Sequence, residues 1–130
     1  FHYIENLSGL LAQIHRALTP GGHLIFSAEH PFYTASMNRK CWWINDENGR
    51  KVWPIDSYSI EGKRTRDWFA EGVVKFHRTL DTYTNMLIST GFTIRKLVEF
   101  APSDEQIEAK PWLTEEKERP MFFLMKVTKQ

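Results

Sequence analysis

Leu7, Leu10, Leu11, Ile14 and Leu18 recur at spacings of three and four, which predicts one apolar face of a helix running from Asn6 to Leu18. Asn6 or Ser8 offers the side-chain cap for its first turn. Thr19-Pro20-Gly21-Gly22 stops it, because Pro cannot extend the hydrogen-bond ladder and Gly accepts the left-handed conformation that closes a helix. His23 to Ala28 is short, apolar and scarcely alternating, the pattern of a strand covered on both faces, and Pro31 lies just beyond it. Further along, Val73-Val74-Lys75-Phe76 is extended. Thr79 caps a second helix carrying Leu80, Tyr83, Leu87 and Ile88 to a stop at Gly91. Phe92 to Phe100 is a strand whose alternation slips at Arg95-Lys96-Leu97, where a bulge fits. Ser103-Asp104-Glu105-Gln106 starts a short helix in a polar connection punctuated by Pro111 and Pro120, and Met121 to Val127 is a near-continuous apolar strand that prefers a central place.

Residues 32–72 break this pattern: aromatic residues stand among charges, and every Trp except Trp112 falls here. We read the stretch as an insertion or lid. Cys41-Trp42-Trp43-Ile44 and Lys51-Val52-Trp53 flank Asn48-Gly49, which predicts a β-hairpin closed by a type I′ turn. The chain divides into 1–31 (helix plus strand), 32–72 (insertion) and 73–130 (helix and antiparallel strand pair), an α/β order with the last strand antiparallel. Three strands are a poor sheet alone, since both faces and one edge need cover that two helices do not supply.

Composition narrows the function classes. The 130 residues are 42% hydrophobic and 25% charged, with 17 Lys+Arg against 16 Asp+Glu. That near-balance gives no electrostatic footprint for nucleic acid. The apolar runs fall far short of the ~20 residues of a membrane helix. A single cysteine, Cys41, forms no internal disulfide and points to a reducing, cytoplasmic setting. The dispersed histidines lack metal-ligand spacing. The chain opens on Phe1-His2-Tyr3-Ile4 without Met, as a piece of something longer would.

The run from Leu10 to Ser27, with Arg16-Ala17-Leu18-Thr19-Pro20-Gly21-Gly22-His23-Leu24 at its centre, resembles class I S-adenosylmethionine-dependent methyltransferases just after their cofactor site. Glu29-His30-Pro31, the Trp-rich stretch, Val73 to Leu80 and Gly91-Phe92 are similar to a bacterial subgroup acting on small molecules. The resemblance implies the C-terminal half of a seven-stranded Rossmann-like sheet, in which the three strands here are the fifth, sixth and seventh. The Met121–Val127 strand would then be the central one, covered on both faces. It also implies that S-adenosylmethionine is the cofactor of the complete protein. The family's glycine-rich first motif and its ribose-binding acidic residue have no counterpart here, so this chain by itself is expected to bind the cofactor weakly and to be inactive.

The resemblance places His2 and Tyr3 at the cofactor's methionine end. Glu29 and His30 sit at the carboxyl end of a buried strand, where open α/β sheets bind ligands, and are candidate groups for positioning or deprotonating a methyl acceptor. His77 is a third catalytic candidate. Arg78 stands with it at a helix N-terminus, where a positive dipole end suits an anionic substrate group. Tyr33 and Trp43, with Trp42 and Trp53, form an aromatic wall over a small-molecule substrate or simply pack the insertion. A rival reading is a non-enzymatic binding module that clamps a ligand or partner in the aromatic hairpin. The edge of the His23–Ala28 strand offers a place for a homodimer.

Overall fold

The computed structural model describes residues 1–130. Helix α1 (Leu7–Ala17) is capped by Asn6, whose side chain accepts from the Gly9 N–H, and leads into β1 (His23–Glu29). After the insertion come α3 (Leu80–Thr90), β6 (Phe92–Glu99), the short α4 (Asp104–Ala109), a 3-10 helix (Pro111–Lys117) and β7 (Phe122–Lys129). The sheet order is β1-β7-β6, with β7 antiparallel to both neighbours. The bulge expected in β6 is a register shift between Ile94 and Lys96. Thr79 caps α3, and Gly91 closes it at φ 98°, with the His15 ring 3.0 Å from where a Cβ would stand. Ser103 and Gln106 make a reciprocal capping box on α4.

The apolar faces of α1 and α3 cover one side of the sheet. Leu7, Leu11, Tyr83 and Leu87 meet Ala28 of β1, Phe92 of β6 and Phe123, Met125 and Val127 of β7. Within these 130 residues helices cover one face of β1 and β7, and the other face is open. On the far side Ile25 is 65% exposed, Leu124 is exposed too, and a hollow of about 450 Å³ lies between Phe122, Leu124, Trp112 and Leu113. The apolar run of β7 belongs to the central strand, paired on both sides with β1 and β6.

The insertion folds as three pieces. A single turn, α2 (Pro31–Thr34), follows β1, then a minimal hairpin of β2 (Ile44–Asn45) and β3 (Lys51–Val52), then a long antiparallel hairpin of β4 (Gly62–Trp68) and β5 (Ala70–His77). The type I′ turn expected at Asn48-Gly49 is a different turn. Only Gly49 has positive φ, and Asp46 Oδ1 organises the loop by accepting from the Asn48 and Arg50 N–H groups. An acidic side chain that satisfies two amides removes the need for two left-handed residues. The segment read as merely extended at Val73–Phe76 is the second strand of the long hairpin, which runs on through His77.

Candidate functional site

Along β4 and β5 the face that carries Arg64, Arg66, Lys75 and His77 turns inward, while Lys63 on the other face is exposed. Arg64 pairs in register with Lys75, Arg66 with Val73 and Gly62 with His77, so these side chains share one face of the hairpin. That face closes onto α2, the end of β1 and the first residues of the chain. Arg66 donates to the carbonyls of Tyr33 (2.8 Å) and Asn38 (2.6 Å), Arg64 donates to Ala35 O (2.8 Å), and the Phe76 N–H donates to His2 O (2.7 Å).

At the centre is a buried ion pair. Lys75, 1% exposed, donates from Nζ to both oxygens of Glu29, itself 2% exposed, at 2.6 and 2.8 Å. The ammonium also faces the rings of Trp68, Tyr33 and Tyr3 at 4.9, 5.4 and 5.9 Å from their centroids. A desolvated cation gains from both contacts, the carboxylate cancelling its charge and the ring faces adding cation–π attraction. His2 completes the cluster. Its Nδ1 accepts from the Glu29 N–H at 3.1 Å, which leaves the proton on Nε2, 3.7 Å from Glu29 Oε1. Burial, with Lys75 beside it, lowers the His2 pKa to about 4, so the imidazole is neutral at neutral pH.

The other sequence candidates lie around this centre in different states. His30 Nδ1 accepts from Phe32 N–H and caps α2, while its Nε2–H donates to Glu99 at 2.7 Å; burial outweighs Glu99 and lowers its pKa. His77 is enclosed, with Nε2–H donating to Tyr58 O and Nδ1 accepting from the Thr34 hydroxyl, both at 2.7 Å; burial lowers its pKa too. Neither ring has a nitrogen left over. Arg78 spends Nη2 on the carbonyls of Ile4 and Glu5, both at 2.7 Å, and so ties the chain start to the lid. Tyr33 stacks on Trp53 at 5.3 Å and also borders the cleft beside Lys75. Trp43 packs edge-on to Trp53, beneath the Arg119 guanidinium, which lies 4.3 Å from the Trp53 centroid and pairs with Glu116 at 2.7 Å.

Thus the fold gathers His2, Tyr3, Glu29 and Tyr33 into one cluster and leaves His30, His77, Trp43 and Arg78 outside it. The cluster lies where β1 ends and β7 begins. In that geometry the candidate site sits beyond the carboxyl end of β1, the position at which open α/β sheets hold ligands.

A crystal structure of an S-adenosylmethionine-dependent methyltransferase from Mesorhizobium loti superposes on 98% of this chain with a TM-score of 0.92 and 49% identity. The chain has the fold of the carboxyl-terminal half of a methyltransferase. A Listeria monocytogenes protein assigned to the same class matches 99% of it at a TM-score of 0.86 and 38% identity. An uncharacterized protein of Haemophilus influenzae is 37% identical over 99% of the chain. No family model matches. The chain spans 57% of each of the two solved structures and 50% of the Haemophilus protein. Within this methyltransferase half, the sequence reading missed Lys75, Trp68 and Arg66. Their signal was the alternation Arg64-x-Arg66-x-Trp68 and Val73-x-Lys75-x-His77.

Proposed function

We propose that the protein is an S-adenosylmethionine-dependent methyltransferase acting on a small molecule, and that the Glu29–Lys75 cluster stands on the acceptor side of its site. The observation that carries this is the 49% identity, over nearly the whole chain, to an S-adenosylmethionine-dependent enzyme. The residues present suit one end of the cofactor. Tyr3 leaves half of its surface open at the edge of the cluster, and an open aromatic face attracts a sulfonium cation. When bound, S-adenosylmethionine supplies the methyl group on that sulfonium.

The chain's own part is orientation. Lys75 pairs with Glu29 and fixes both of its oxygens, His2 stays neutral behind them, and Trp68 closes the lid over the pair. Holding an acceptor in line with a methyl group is the main lever in such a displacement. His30 and His77 serve by locking α2 and the β4–β5 hairpin in place, so that Glu29 is the group nearest the acceptor. A cytoplasmic setting accords with the lone free Cys41.

The test is methyl transfer from labelled S-adenosylmethionine to a small-molecule extract by the protein expressed from its complete reading frame. Labelled product from the wild type, and a loss of at least tenfold in Glu29→Gln, supports the reading. No label transferred to any small molecule overturns it.

A further inference from the structure

Buried charges are normally paired, and a guanidinium out of water without a counter-charge is costly. Arg64 and Arg66 are 3% and 6% exposed, yet both donate only to backbone carbonyls. Moreover, Arg64 stands directly opposite Lys75 in the strand register, a like-charge pairing that costs stability. Glu29 answers Lys75. Asp56, bonded by the Ser36 hydroxyl at 2.7 Å, acts on the two arginines only from a distance. The inward face of the hairpin therefore carries more positive charge than its carboxylates cancel.

That excess borders a cleft lined by Arg66, Lys75, Tyr33, Trp42, Cys41 and Trp68, together with Asp67, whose charge is met by Arg39 at 2.7 Å. Its free volume is about 40 Å³. A water's share of liquid is ~30 Å³, so the cleft admits a small polar head and no more. The body of any ligand would lie outward, and the rim there is aromatic. Trp42 is exposed, and Phe69, at the hairpin tip against Trp68, is 94% exposed. Phe69 also adopts φ 57°, a left-handed conformation that strains a non-glycine residue. The fold recovers nothing from this side chain: it packs on no core, and Asp67 already pins the turn by accepting from Gly72 N–H and Arg39. Phe69 lies against Trp68, which does line the cleft, so a ligand whose body extends outward over Trp68 would meet both the cations and this uncovered ring.

We propose that the cleft takes an aromatic carboxylic acid, its carboxylate beside Arg66 and its ring against Trp42 and Phe69. The acid's role as methyl acceptor rests on the methyltransferase reading; its binding does not. The probe is benzoate, followed by ligand-observed NMR on this chain, with benzamide, benzylamine and inorganic phosphate as comparators. Benzoate is expected to bind at least tenfold more tightly than benzamide, to lose affinity as salt is raised, and to lose about tenfold in Phe69→Ala, a fully exposed site whose change leaves the folded spectrum intact. Equal binding of benzamide, preference for benzylamine, phosphate binding as tight as benzoate, or an unaltered affinity in Phe69→Ala would each overturn the assignment. Benzoate binding without methyl transfer by the protein from the complete reading frame would sink the methyltransferase reading alone. Methyl transfer without benzoate binding would sink only this inference.

Discussion

Replacing Lys75 by Met leaves Glu29 as a buried carboxylate without a cation. In the native chain Nζ gives it two hydrogen bonds, at 2.6 and 2.8 Å, in a place where neither partner is more than 2% exposed. Removing one member of such a pair costs about 3–5 kcal/mol, because the other is left charged and desolvated. The lost contacts to three ring faces add on the order of 1 kcal/mol. For a chain of 130 residues this corresponds to a fall in Tm of roughly 10–20 °C. Urea unfolding followed by circular dichroism gives the free energy directly. Glu29→Gln combined with Lys75→Met should recover at least half of the loss, since no charge then remains buried, and the cycle of single and double variants isolates the pair. A loss under about 1 kcal/mol in Lys75→Met, or a double variant as unstable as the sum of the singles, would refute the ion pair as the keystone of the lid.

Two further outcomes follow from the same structure. Phe123→Ala removes a fully buried ring at the centre of the core and should cost about 3–5 kcal/mol in the same urea assay; a loss below 1 kcal/mol would mean that the sheet and helices are not packed around β7. Burial lowers the pKa of His30 and His77, and that of His2 to about 4, whereas in the unfolded chain each titrates near 6.5. Between those values the unfolded state binds more protons. Stability is therefore full above about pH 6.5 and falls as the pH drops toward 4, by at most ~1.4 kcal/mol per pH unit for each histidine. Equal urea midpoints at pH 7.5 and 5.0 would contradict this.

Much of the scaffold was legible because its signals are local. The Asn6 and Thr79 caps, the Gly91 stop, the slip in β6 and the Ser103 capping box depend on a few neighbouring residues, and each stands where the sequence placed it. Ile25 and Leu124 are as apolar as their buried neighbours, the pattern of strands covered on both faces, and within these 130 residues they are exposed.

The site was half legible. Glu29 and His2 come from opposite ends of the α1–β1 unit and meet because β1 runs back alongside the chain start, and both were candidates. Lys75 was read past because a lysine in a short strand suggests a solvated edge. Only its partner, 46 residues away, makes burial affordable. His77 and Arg78 stand before a helix, but their partners are structural: the Tyr58, Ile4 and Glu5 carbonyls and the Thr34 hydroxyl.

Calorimetric titration of S-adenosylmethionine into the protein from its complete reading frame tests the central claim most directly, with Tyr3→Ala and Glu29→Gln run beside the wild type. The account predicts one site per chain, weakened by about tenfold or more in each variant. Absence of binding in the wild type, or binding that neither substitution alters, would contradict it.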